Sequence, residues 1–144
     1  MSQVPYETDF YAWLHHNAQL LREGNFADLD IANLVEELES MGRSEKREFI
    51  NRLAILLMHL LKWQFQPQKR SRSWEGTIGE QRKRLRQLLR ESPSLSSQID
   101  SFLIDAYDLA LSKAVKETKL PETAFPVECP YAFTQAMEDK FYPT

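Results

Sequence analysis

The stretch FINRLAILLMHLLKWQF, residues 49–65, is apolar on nearly every side and decides the fold class. At 100° per residue Phe49, Ile50, Leu53, Leu56, Leu57, Leu60 and Leu61 form one broad stripe, while Ile55 and Met58 add apolar bulk on the opposite side. A helix hydrophobic on two sides is surrounded by other elements, so residues 45–65 are expected to be the buried centre of an all-α single-domain bundle. Its length, about 30 Å at roughly 1.5 Å per residue, is comparable to the diameter of a small domain. A membrane span is excluded, because Arg52, His59 and Lys62 interrupt the run and a span needs about 20 predominantly apolar residues.

The 144 residues suit one domain, 1–144, with 42% hydrophobic and 27% charged side chains and only four glycines, a composition that favours helices over turn-rich β structure. Cys129 is the single cysteine and has no internal disulfide partner. The start, MSQVPYETDF, lacks the basic and apolar regions of a signal peptide, so a cytoplasmic location is expected. The net charge of −3 conceals a pattern: ten acids and five bases over 1–61, two acids and nine bases over 62–90, nine acids and four bases over 91–144. A basic island between acidic flanks reads first as oppositely charged helices packing together, and second as a face for nucleic acid.

Working outward, Thr8 is expected to cap a helix over 9–22 that stops at Gly24, with Phe10, Trp13, Leu14, Asn17, Leu20 and Leu21 docking on the central helix. His15 and His16 point about 100° apart and cannot share one metal. Asp28 or Asp30 opens a second helix with the stripe Ile31, Leu34, Val35, Leu38 and Met41, and a turn at Gly42-Arg43-Ser44, with Ser44 capping, returns the chain antiparallel as the central helix. On this wheel Glu37 can reach the interior and Glu36 cannot. Pro67 ends the central helix. The polar loop 66–73 leads to a helix capped by Ser73, carrying Gly76 and Gly79, with Trp74, Ile78, Leu85, Leu88 and Leu89 on its apolar side. Arg82 falls inside that stripe and requires a carboxylate or carbonyl partner, or a path to water along its stem. Ser94 is expected to cap a long helix running to Thr118, small along Ala106, Ala110 and Ala114, with Tyr107 on its flank. A proline-marked strap, 120–130, and a short helix bearing Phe133, Met137 and Phe141 complete five main helices and a short sixth.

Several phrases together carry a resemblance: DFYAW at 9–13 with LLREG at 20–24, EELESMGRSE at 36–45, HLLKWQFQP at 59–67, SW at 73–74 with Arg82, SPSL at 92–95 and FPVECPY at 125–131. In this order, over nearly the whole chain, they resemble a bacterial family frequent in cyanobacteria and catalogued as domain-of-unknown-function family twenty-nine. The resemblance implies a single helical domain and brings no activity with it.

The polar residues placed toward the interior are Glu37, His59, Arg82 and Tyr107, with Glu36 and Asp9 nearby. The first reading is a Glu37–Arg82 salt bridge with His59 beside it, fixing helix register. A metal centre is disfavoured, because Glu-x-x-His pairs are missing and an inward arginine opposes a cation. An acid/base site using Glu37 and His59 lacks any phosphate loop, nucleophile elbow or Cys-His signature. Lys69, Arg70 and Arg72 are the expected contacts for an acidic partner or nucleic acid. The leading expectation is a protein-binding or adaptor module with a protein partner, no cofactor, no metal and no catalysis; nucleic-acid binding through 62–90 and an enzyme built on Glu37, His59 and Arg82 are the alternatives.

Overall fold

A computed structural model describes residues 4–144. The described residues contain no strand and five α-helices: α1 (Phe10–Arg22), α2 (Ile31–Phe65), α3 (Arg72–Glu91), α4 (Ile99–Thr118) and the single turn α5 (Phe133–Ala136). The all-α class is therefore observed, with one helix fewer than expected. The chain forms two compact units, Met1–Ser44 and Glu45–Thr144, and α2 contributes residues to both.

The missing helix is the one expected to end at Gly42. The structure has no turn at 42–44: α2 continues without a break for 35 residues. Gly42 has no positive φ, and both flanks, EELESM and EKREF, are strong helix formers without proline. The roughly 1 kcal/mol that a glycine costs in a helix interior is too small to interrupt such a run. Arg43 instead reaches back to Glu36 at 2.8 Å. The antiparallel second and central helices are thus one element.

Other boundaries move for local reasons. Asp9, not Thr8, caps α1, its carboxylate accepting from Ala12 N at 3.1 Å. At the other end Gly24, with φ +70°, allows Asn25 N to donate to the Leu20 carbonyl at 2.9 Å and Gly24 N to that of Leu21 at 3.1 Å. Ser71, not Ser73, caps α3. Ser94 caps nothing; it sits in a 3₁₀ segment, Pro93–Gln98, that precedes α4. Phe141 lies beyond α5, which is only one turn long.

In the second unit Phe49, Leu53, Leu56, Leu57, Leu60 and Leu61 of α2 are fully enclosed, along with Ile78 and Leu85 of α3 and Phe102, Ala106, Ala110 and Ala114 of α4. Phe49 meets Phe102 at 5.3 Å and Phe133 at 6.1 Å between ring centroids, joining α2, α4 and the start of α5. The strap is tied down by Tyr107, whose hydroxyl donates to the Pro126 carbonyl at 2.6 Å, and by Tyr131, whose hydroxyl donates to Gln64 Oε1 at 2.6 Å. Burial pushes the Tyr107 hydroxyl up to about 12 and that of Tyr131 up as well.

The continuity of α2 gives a direct prediction. A Cβ added at the exposed Gly42 meets no atom within 4 Å. Gly42→Ala should raise the unfolding free energy by about 0.5–1 kcal/mol, measured by circular dichroism melting, because it removes backbone entropy from a helix interior. Destabilisation by this change would instead indicate a turn at 42–44.

Candidate functional site

The expected interior cluster is not brought together by hydrogen bonds. Arg82 is 1% exposed and its partners are main-chain carbonyls: Nε donates to Ala136 at 2.8 Å, Nη1 to Asp139 at 3.1 Å and Nη2 to Phe141 at 2.7 Å. Its guanidinium also lies 5.5 Å from the centroid of Tyr142. The carboxylate expected from Glu37 is replaced by these three acceptors, the last carbonyl of α5 and two from the chain beyond it. Burial lowers the Arg82 pKa from its ordinary value, with Tyr142 and Asp139 acting in the opposite sense.

His59 is half-buried and donates from Nδ1 to the Ile55 carbonyl at 2.9 Å, which places a proton on Nδ1. Burial holds its pKa below the ordinary 6.5, and nearby Lys62 pushes the same way. Glu37 belongs to the first unit and accepts from the Tyr6 hydroxyl, which raises the Tyr6 pKa to about 12. Among the described residues no group of three or more His, Cys, Asp or Glu side chains is placed to hold a metal.

Three of the nine bases of the island, Arg70, Arg82 and Arg86, are tied to the C-terminal segment. Arg70 donates from Nε to the Trp63 carbonyl at 2.8 Å and from Nη2 to that of Pro143 at 3.4 Å, with its guanidinium 5.2 Å from the Trp63 ring centroid. Arg86 donates to the Met137 carbonyl at 2.7 Å and pairs with Asp139 at 2.5 Å. Lys62 pairs with Glu117 at 3.0 Å and sits 4.8 Å from the Trp74 centroid. Lys69 and Arg72 are exposed and make no ion pair among the described residues.

The first unit holds what sequence reasoning missed. Asn17, 2% exposed, donates to the Trp13 carbonyl at 3.0 Å and accepts from Asp30 N at 3.0 Å. Asp30 Oδ2 accepts from Trp13 Nε1 and from Asn33 Nδ2, each at 2.9 Å. These bonds hold the Asp30 pKa below its ordinary value, Asn33 contributing most. The signal was an asparagine inside the stripe of α1: a buried amide needs a partner on each side.

This network makes α1 and the start of α2 an antiparallel hairpin, because Asn17 bonds Asp30 while Tyr6, before α1, bonds Glu37. Only Trp13, Asn17 and Leu20 are buried on α1. Phe10, Leu14 and Leu21, expected to dock, are exposed, as are Ile31, Val35, Leu38 and Met41. On α1 the exposed apolar direction lies roughly 70° past the buried one, and on α2 about 100° past the side facing α1, counting 100° per residue toward the C-terminus. For two antiparallel helices equal senses of rotation fall on the same side. The two stripes therefore form one apolar face with a trough between the helices.

A second concavity, about 620 Å³, lies between Leu103, Tyr107 and Leu111 of α4 and residues 127–129 of the strap, rimmed by Asp105, Asp108 and Glu128. Cys129 lines it, but burial pushes its thiol pKa up and it donates to the Tyr131 carbonyl at 3.3 Å, so the thiolate needed of a nucleophile is disfavoured.

An all-α chain with an arginine-bound C-terminal segment and an acidic helical hairpin is thus defined. Its family follows from comparison: the model described as Domain of unknown function DUF29 matches residues 5–142, and the chain belongs to that family. No curated protein and no solved structure matches it.

Two outcomes follow from these contacts. Arg82→Ala should cost about 3 kcal/mol in chemical denaturation, since it strands buried carbonyls, and Arg82→Lys should recover less than half, because one ammonium cannot span three acceptors. An unchanged midpoint for the alanine variant would contradict the assigned contacts. For His59 the folded pKa lies below the unfolded one. As pH falls through about 6.5 the unfolded chain therefore takes up a proton first and stability declines, levelling once the folded imidazole is also protonated. His59→Gln should flatten the fall in stability measured between about pH 7.5 and 5.5.

Proposed function

We propose that the protein is a protein-binding module that docks a partner on the apolar face of its first unit, acts without catalysis and works in the cytoplasm. The observation that carries this reading is the exposure of seven large apolar side chains on one side of one hairpin, from 41% for Leu14 to 67% for Leu38. Singly exposed hydrophobic residues are ordinary, whereas a contiguous apolar face marks an interaction site. The hairpin is also unable to enclose these residues itself, since two helices share only one contact side.

The catalytic and nucleic-acid readings find less support in the contacts. Glu37, His59 and Arg82 each have separate partners. Arg70, Arg82 and Arg86 are committed to main-chain carbonyls, which removes three of the positive groups a phosphate backbone would need. No helix among the described residues is long and apolar enough to cross a membrane.

The test uses the full chain tagged in its native cells and cross-linked before purification, with nuclease treatment. A stoichiometric protein should be captured through cross-links confined to α1 and residues 31–41. Leu38→Asp with Met41→Asp should abolish capture while leaving the melting temperature nearly unchanged, because exposed sites tolerate polar substitution. Undiminished capture by the double variant would refute this docking face, and loss of the partner on nuclease treatment would favour the basic segment.

A further inference from the structure

The docking face lies in the most acidic part of the chain. Residues 1–44 hold eight acids and two bases, a formal −6. Because Tyr6 bonds Glu37, the N-terminal end of α1 brings Glu7 close to Glu36 and Glu37, and both Glu7 and Glu36 contribute to the upward shift of the Tyr6 pKa. The nearby base Arg43 is already paired with Glu36 at 2.8 Å. An apolar trough in a negative field selects its occupant by charge as well as by shape.

We propose that the occupant is a basic amphipathic helix of a partner protein, about three turns long, matching the rise from Ile31 to Met41 at about 1.5 Å per residue. The inference rests on the docking role above and adds the chemistry of the partner. A helix fits because the trough runs between two antiparallel helices. Ile31, Val35, Leu38 and Met41 also advance at the three- and four-residue steps of a helix-packing seam. Lysines or arginines beside the partner's apolar residues would meet Glu7 at the N-terminal end of α1 and Glu39, which flanks the apolar stripe of α2.

A second copy of this chain is the wrong complement. Pairing two hairpins face to face sets −6 against −6, a like-charge juxtaposition that opposes association. The large apolar residues exposed in the second unit, Ile104, Leu109 and Val127, adjoin Asp105, Asp108 and Glu128 in the chain, so that unit offers no basic apolar strip. An anionic lipid surface would likewise be repelled.

The test is calorimetric titration of the full chain with three designed peptides of about four turns: leucines at helical spacing with lysines elsewhere, the same leucines with glutamates, and the leucine–lysine composition scrambled. The lysine amphipathic peptide should bind at least tenfold more tightly than either control. Leu38→Asp should weaken it at least tenfold, and Glu39→Lys at least threefold, with circular dichroism confirming folded variants. Its affinity should fall as salt is raised. If the glutamate peptide binds equally and Leu38→Asp still weakens both, the basic partner is wrong and the docking face survives. If neither amphipathic peptide binds, both readings fail. Equal binding of the scrambled peptide would reduce the effect to net charge and overturn the proposal. A wild-type dimer in sedimentation that Leu38→Asp dissociates would overturn it in favour of a second copy.

Discussion

A guanidinium buried to 1% exposure must be surrounded by acceptors, and the second unit is arranged around meeting that demand for Arg82. The acceptors come from the C-terminal segment: a helix of one turn, followed by a chain reversal, presents the carbonyls of Ala136, Asp139 and Phe141 to one side chain. Neutral carbonyls serve here where a carboxylate was expected, and with three hydrogen bonds the planar donor fork is well matched. Arg86 and Arg70 extend the same pattern to Met137 and Pro143. Three of the chain's eighteen cationic side chains thus work inside one unit as an adhesive between helices and an irregular terminus.

That arrangement changes what the charge pattern means. A basic island suggests a polyanion, but its charge is available to one only where the side chains are not already bonded. Lys62 is paired with Glu117 and Arg86 with Asp139, leaving Lys69, Arg72, Lys83, Arg84 and Arg90 exposed and without an ion pair among the described residues. The negative charge of the first unit is less compensated, since Arg22 and Arg43 face eight acids there. The larger net charge is therefore that of the hairpin, −6 over residues 1–44 against +3 over residues 45–144, and the hairpin also carries exposed apolar side chains.

The all-α class and the buried helix at 49–65 are legible in the sequence because periodicity reports which sides of a helix are apolar, and α2 is apolar on two. The inward direction of Arg82 is legible for the same reason. Its partner is not, because carbonyl acceptors belong to the backbone and leave no residue-type signature. The break expected at Gly42 fails because a glycine followed by arginine and serine is a weak stop when neither proline nor a positive φ enforces it. The largest difference concerns Phe10, Leu14, Val35 and Leu38. Periodicity identifies them as an apolar stripe, but a stripe has the same pattern whether the surface it fits lies in the same chain or in another protein.

The apolar hairpin face and its acidity are linked by a further constraint. An exposed hydrophobic face invites self-association, and identical copies always carry identical charge. A formal −6 on residues 1–44 raises the cost of pairing this face with itself while leaving unaffected, or favouring, a partner of the opposite sign. The negative charge can thus discriminate between occupants that the hydrophobic contact, being non-directional, would accept alike. Rigidity adds to that discrimination: the network joining Trp13, Asn17 and Asp30 fixes the two helices at the level of buried, fully satisfied hydrogen bonds. The trough is consequently preformed, and docking of the proposed helix would not bear the ordering entropy of the hairpin itself.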